Sequence, residues 1–440
     1  MFISLRNHLL QLSRFYLKAL STSELVKNIF KVYLGDITSK FIAAGSIVIL
    51  IRGLSVGDFA QYTAYYSVML LFAYLIGSGI NQAQVTYTAE YMSTQHRKPL
   101  EIYVVSFIFQ LVLYLLVCAL VFCLADKFTT LLFGNHPYQT AMKYGLVAGF
   151  GFLLTNAGSS VFQSEERFST YVKISWFRQI IIFLTVTSLL LSHQLSFTSA
   201  VVSLVTVELI VGIIITYFAF MAAKKIHLLA YFQQNRQLLK KFLFSSFWLI
   251  GYFGAINLSN QLNIFMLSHF STPLQLANYG VAYRYYSLAI LILNSMNAVL
   301  LVRFSKSDLN DHQAIKQLIS QWFKALAWTI IPILIIDMLG RSVFLWVNGP
   351  QYGESYNLFI ILTIGVWLSL LLSPFINILS AKKKFRFIFF SATVALIINF
   401  IGSLILIPLW GGIGAAIMAV IANNFILQML VFTRLQYKIN

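Results

Sequence analysis

The sequence predicts an all-α polytopic membrane protein of about twelve transmembrane helices, in two six-helix lobes related by a pseudo-two-fold axis along the membrane normal. Three observations predict it. The 440 residues are 59% hydrophobic and 10% charged, with mean hydropathy +0.79, whereas a soluble domain is about 45–50% apolar and about 25% charged. Apolar segments long enough to cross a ~30 Å hydrocarbon core recur along the whole chain. The second half, finally, echoes the first.

The spans fall near residues 30–52, 58–82, 102–125, 139–162, 169–191, 197–221, 241–268, 274–301, 318–340, 355–380, 386–408 and 412–434. The connections between them are short, so no sizeable soluble domain is expected on either side. Residues 1–26 form an interfacial amphipathic N-terminal helix, with Arg6, Arg14 and Lys18 interleaved among Phe2, Leu5, Leu9, Leu12, Phe15 and Leu17. No uninterrupted apolar core precedes a small-residue cleavage site there. Ser21 with Glu24 fits a capping box for the helix that enters the first span. Residues 27–222 then make an N-lobe, 223–240 a basic cytoplasmic linker, and 241–440 a C-lobe.

Basic residues set the orientation. With the N-terminus inside, the cytoplasmic segments carry twenty-three Lys and Arg, including Arg97, Lys98, Arg167, Lys224, Lys225, Arg303, Lys306 and the run Lys382 to Lys384. The opposite side carries three: Arg52, Lys127 and Arg341. This positive-inside bias places both termini in the cytoplasm. It also accounts for the formal charge of +18 without nucleic acid.

The echo between halves has three parts in the same order. Asp58-Phe-Ala-Gln-Tyr62 opens the second span and Gln275-Leu-Ala-Asn-Tyr279 the eighth. Leu132-Phe-Gly-Asn-His-Pro-Tyr138 and Leu345-Trp-Val-Asn-Gly-Pro-Gln-Tyr352 follow the third and ninth spans. Arg167-Phe168 and Lys384-Phe385 lead out of cytoplasmic turns. An even number of spans per half gives the halves the same orientation, hence an axis along the membrane normal.

Charges inside spans are the candidate functional residues. Asp36 and Lys40 lie four apart on one face of the first span, and Lys40 is roughly 15 Å in from Phe30. An ammonium at that depth costs at least ~2.5–3.5 kcal/mol, so it needs a partner or a wet cavity. Either Asp36 neutralises Lys40 within a helix contact, or Lys40 lines a cavity for an anion. Arg284 stands at a similar depth in the eighth span, within Tyr283-Arg-Tyr-Tyr286. A guanidinium forks well onto phosphate; the alternative is a structural Arg that snorkels or pairs with a carboxylate.

Glu208 is the deepest carboxylate. It fits a proton-coupling role or a plain helix-to-helix bond. Lys143, Arg178 and Lys324 are expected to snorkel to the interfaces, and Asp337 to be interfacial. Asn257, Asn260 and Gln261 of the seventh span, Asn81 and Gln82 of the second, and Asn294 and Asn297 of the eighth either line a path for sugar hydroxyls or join helices. No Walker motif, nucleotide fingerprint or metal-spaced cluster is present, and Cys118 and Cys123 share one span. No catalytic residue, metal or cofactor is therefore assigned.

The run Gly57-Asp-Phe-Ala-Gln-Tyr62, with Leu75-Ile-Gly-Ser-Gly-Ile80 and Asn81-Gln82, resembles the start of the polysaccharide-biosynthesis flippases. These belong to the multidrug/oligosaccharidyl-lipid/polysaccharide exporter superfamily. Asn260-Gln-Leu-Asn-Ile-Phe-Met-Leu-Ser268, Ala277-Asn-Tyr-Gly-Val-Ala-Tyr283 and Leu406-Ile-Pro-Leu-Trp-Gly-Gly-Ile-Gly-Ala-Ala416 resemble later parts of the same family. The resemblance covers about residues 25–435. It implies a central, often cationic cavity built by helices 1, 2, 7 and 8. It further implies movement of an undecaprenyl-pyrophosphate-linked oligosaccharide, an O-antigen or capsule repeat unit, from the cytoplasmic to the outer leaflet of the bacterial inner membrane.

On that reading Lys40 and Arg284 would meet the pyrophosphate, the Asn and Gln side chains the sugars, and Asp36 or Glu208 an ion. Besides the lipid-linked oligosaccharide and membrane lipids, a glycan polymerase or chain-length protein is an expected partner. The second span has no Lys or Arg between residues 58 and 82, which departs from the more cationic members. A multidrug antiporter of the same fold and a non-transporting component of a glycan-assembly complex are the alternatives.

Overall fold

The computed structural model of the protein describes residues 24–95, 100–134, 138–165, 167–221, 236–287, 290, 312–381 and 384–436. The regular elements among them are helices. The first half contains α1 (Glu24–Gly53), α2 (Val56–Gln95), α3 (Leu100–Cys123), the short α4 (Ala125–Phe133), α5 (Gln139–Ser164), α6 (Phe168–Leu191) and α7 (Phe197–Phe220). The second contains α8 (Arg236–Phe270), α9 (residues 273–287), α10 (His312–Asn348), α11 (Gly353–Ala381), α12 (Phe385–Trp410), α13 (Gly412–Ala419) and α14 (Leu427–Gln436). A π-helical stretch, Val420–Ile426, joins the last two.

Among the described residues, nine helices are long and apolar enough to cross a membrane. The chain is an all-α, multi-pass membrane protein. Most of the expected amphipathic segment 1–26 and of the linker 223–240 lies outside the described residues.

Local chemistry starts several helices cleanly. The Asp58 N–H donates to Ser55 Oγ at 3.1 Å at the head of α2. Ser196 and Ser199 cap α7 reciprocally. At α9 the Gln275 N–H donates to Thr272 Oγ1 at 3.3 Å, and Pro273 fills the first turn, where a missing N–H costs nothing. Gly134 and Gly349 both take positive φ, 65° and 100°, within the two echoed segments that follow α4 and α10.

Packing within the first half relies on small residues, as expected where lipid tails remove the hydrophobic drive between helices. α1 lies on α6, with Gly35 under Val172 and Gly45 under Phe183. The Trp176 Nε1 donates to the Gly35 carbonyl at 2.9 Å. α5 sits between α2 and α7, Gly149 meeting Met69 and Gly151 meeting the Glu208 backbone.

The second half is joined more by amides and hydroxyls. Asn399 Nδ2 donates to the Ser259 carbonyl at 3.0 Å, and Ser403 Oγ donates to Asn263 Oδ1 at 3.0 Å, linking α12 to α8. Ser369 Oγ donates to Asn424 Oδ1 at 2.7 Å, linking α11 to the π-helical stretch.

The halves meet along one antiparallel seam. α2 runs against α8, with Tyr87 edge-on to Phe242 at 5.9 Å and Gly79 against the Leu249–Ile250 backbone. Near the start of α2, Phe59 packs edge-on against Tyr352 at 6.0 Å. Phe133 meets Phe265 at 5.6 Å at the same end. There Arg52, closing α1, donates from Nε to the Val347 carbonyl at 2.6 Å and from Nη2 to the Trp346 carbonyl. The last carbonyls of α10 lack intrahelical donors, so a cation suits them.

Candidate functional site

Where α2, α8 and α9 converge, a narrow crevice is lined by Thr63, Tyr66, Ser67, Gln261, Ile264, Gly280, Tyr283 and Arg284. It draws residues from both halves of the chain. α9 reaches α2 closely because Gly280 has no side chain: a Cβ there would stand 2.4 Å from Thr63 Oγ1. That contact sets Arg284, one turn further on, against α2.

Arg284 is only 7% exposed, and no carboxylate pairs with it among the described residues. Its guanidinium carbon lies 3.4 Å from the centroid of the Tyr66 ring and 5.5 Å from that of Tyr62. Aromatic faces attract a cation most strongly where water is excluded. Tyr283 stacks on Tyr279 at 6.0 Å and meets Tyr286 at 5.6 Å, completing an aromatic wall on α9. Gln261 Oε1 is buried without a hydrogen-bond partner among the described residues.

Lys40 is exposed on α1. Of the two cations expected at mid-depth, Arg284 is the one that lines the crevice. The Asp36 side chain lies outside the described residues, as do Asn294, Asn297 and the side chains of Lys324 and Asp337.

Glu208 is buried and held by α6. Arg178 Nε donates to Glu208 Oε2 at 2.8 Å, and Nη2 donates to Oε1, a two-point fork. The snorkelling expected of Arg178 is therefore corrected. Ten residues into α6 it is roughly 15 Å from the helix end, and a buried carboxylate offers it a better partner than a distant interface. Its guanidinium also lies over Phe152, 4.7 Å from the centroid. Lys143, by contrast, is exposed.

The predicted amides separate. Gln261 lines the crevice. Asn81 Oδ1 accepts from Gln110 Nε2 at 2.9 Å and so joins α2 to α3. Asn260 Oδ1 accepts from Asn423 Nδ2 at 3.3 Å, while Asn257 Nδ2 donates to the Phe253 carbonyl of its own helix at 2.8 Å. Gln82 is exposed.

Sequence reasoning passed over the tyrosines. Tyr62, Tyr66 and Tyr74 are spaced by four and eight, so they share one stripe of α2. That spacing, beside an arginine flanked by Tyr283 and Tyr285, was the available signal.

The chain matches the family described as polysaccharide biosynthesis protein over residues 25–308. It belongs to that family. Solved structures share the fold of this family member at low sequence identity. The lipid II flippase MurJ, in an inward closed conformation, superposes with a TM-score of 0.72 at 14% identity, covering 92% of this chain and 87% of that one. The Vibrio cholerae MATE transporter VcmN in its bent form gives 0.61 at 15% identity, covering 95% and 97%. The eukaryotic MATE transporter AtDTX14 gives 0.65 at 13% identity, covering 93% and 95%. No curated protein sequence matches the chain. The family member thus shares its fold with these solved structures.

Proposed function

We propose that this protein is a flippase that moves an undecaprenyl-pyrophosphate-linked oligosaccharide from the cytoplasmic to the outer leaflet of a bacterial inner membrane. The observation that carries the reading is the Arg284 guanidinium held on the Tyr66 ring in a crevice where the two halves of the chain meet. A cationic patch between halves suits a pyrophosphate bridging them, and alternating access would expose it to each leaflet in turn. Twelve spans, two lobes and cytoplasmic termini complete the reading.

Gln261 is the amide best placed to meet a sugar hydroxyl, because its oxygen in the crevice lacks a partner among the described residues. Transport against a gradient needs an energy source, an ion gradient or the membrane potential, and Asp36 remains the candidate coupling group on α1. Glu208 is less suited to that task, since Arg178 already engages both of its carboxylate oxygens.

The test is surface-glycan display in a deletion strain carrying the wild type, Lys40→Ala or Arg284→Ala, with protein levels matched. Loss of display with precursor accumulating on the inner leaflet supports the flippase. Intact display with altered drug resistance transfers the assignment to an antiporter. Neutral phenotypes for both variants, with display lost only on deletion, favour a non-transporting assembly component.

A further inference from the structure

The second echoed segment, Leu345 to Tyr352, ends α10 as a junction. Pro350 has no N–H to offer the Trp346 carbonyl four residues back, so this helix end needs donors from elsewhere. Arg52 of α1 supplies them, to the carbonyls of Trp346 and Val347. Asn348 is fully buried and turns its Nδ2 back onto the Phe344 carbonyl at 2.8 Å. Its Oδ1 accepts from the Tyr285 hydroxyl of α9, also at 2.8 Å. Tyr352 then packs on Phe59 of α2. One short segment of the second half is thus gripped by α1 and α2 of the first half and by α9.

The first echoed segment docks on the opposite half in return, by plainer means. Phe133 meets Phe265 of α8, Gly134 lies against the His269 ring, and Ser268 Oγ donates to the Leu132 carbonyl at 3.4 Å. These contacts are made with α8. The second segment differs in its bond to α9, the helix that carries the crevice arginine.

Tyr285 directly follows Arg284. Successive helix positions point about 100° apart, so α9 presents the guanidinium to Tyr66 of α2 and the neighbouring hydroxyl to Asn348 of α10. The rings of Phe344 and Phe359 pack against Tyr285 at 5.0 and 6.2 Å and keep its hydroxyl aimed. A turn or slide of α9 that lifts Arg284 off the Tyr66 face stretches the bond to Asn348 as well. Breaking that bond leaves a buried acceptor without a donor, which destabilises the end of α10.

We propose that the Tyr285–Asn348 bond couples the crevice to this end of the seam. Departure of Arg284 from Tyr66 releases the end of α10, which loosens its hold on Arg52 and Phe59 and lets the two halves part there. A ligand that competes with the Tyr66 ring for the guanidinium is then the trigger for opening. Tyr285 and Asn348 are positioning residues, acting through Arg284 and the helix end rather than on a ligand.

The test uses the full-length protein in nanodiscs, with Cys118 and Cys123 replaced by serine and no ligand added. Spin labels on Gln194→Cys and Glu354→Cys, both exposed positions, report the distance between the halves at this end. The first label stands beside Leu195, which packs on Gly53, the neighbour of Arg52. In a separate preparation, maleimide labelling of Ser67→Cys reports access to the crevice. Tyr285→Phe keeps the ring and removes only the hydroxyl. It should raise the long-distance population several-fold and speed the labelling of Ser67→Cys as well. Arg284→Gln should raise the same long-distance population, and combining the two should add little, because both break one linkage.

A hydroxyl that merely supports the helix end predicts a lower melting temperature with distances and labelling unchanged, which would overturn the inference. Effects of Arg284→Gln and Tyr285→Phe that multiply as independent steps would overturn it too. Should Arg284→Gln not fold, Tyr285→Phe decides alone, by whether it acts at both places. No cargo enters the measurement, so its failure leaves the flippase reading to be judged by glycan display.

Discussion

The Arg284 guanidinium rests 3.4 Å from the centre of the Tyr66 ring, joining the second half of the chain to the first through a cation and an aromatic face. This contact serves two ends at once. It stabilises a charge that a carboxylate would otherwise have to neutralise, and it leaves that charge uncancelled for an anionic ligand.

Removing the ring should therefore matter more than removing its hydroxyl. Tyr66→Phe is expected to keep surface-glycan display within about twofold. Tyr66→Ala should lose about 2 kcal/mol of contact energy. It should lower the melting temperature of the purified protein and reduce display. Equal behaviour of the two variants would show that the hydroxyl, not the ring, is what Arg284 needs.

Two glycines at the seam should respond differently to substitution. Gly280→Ala places a Cβ 2.4 Å from Thr63 Oγ1 and 2.8 Å from its Cγ2. Overpacking of this kind costs about 1–3 kcal/mol, and Thr63→Ala in the same chain should recover most of it. Gly79→Ala meets the Ile250 backbone nitrogen at 2.3 Å, where no side chain can be trimmed. Its loss of melting temperature should have no such single-residue rescue.

Arg52 ties α1 to the last carbonyls of α10 and should help to keep that end of the seam shut. In a background with Cys118 and Cys123 replaced by serine, a cysteine introduced at Ser67 reports access to the crevice. Arg52→Ala should raise its labelling rate by a soluble maleimide several-fold, and Arg52→Lys should raise it less. An unchanged rate means that the aromatic contacts of Phe59 and Phe133 close this end without Arg52.

Orientation is open to a direct check. A cysteine at His193, in the turn between α6 and α7, should react with a membrane-impermeant maleimide on intact cells. One at Lys384, before α12, should react only after permeabilisation. The reverse pattern would place the basic turns outside, against the positive-inside bias.

What the sequence determined by itself was the class of structure and which charges lie within its apolar runs. Hydrophobic runs of span length force helices, because lipid offers backbone N–H and C=O groups no other partner. A lysine or arginine deep in such a run announces itself, since its desolvation cost demands a reason. Lys40, Arg284 and Glu208 were legible on those grounds, and residues 57–82 and 260–283 carried the family resemblance.

Only the tertiary structure decided who stands beside whom. Glu208 and Arg178 are thirty residues apart on different helices, and nothing in either segment names the other. The tyrosines of α2 read as ordinary span residues until α9 places a guanidinium on one of them. Asn81 and Gln261 look equivalent in a hydropathy trace, yet one joins α2 to α3 and the other faces the crevice. The physical reason is common to all three cases. Helix formation and helix face follow from local sequence, whereas burial and partnership depend on how helices far apart in the chain are rotated and packed.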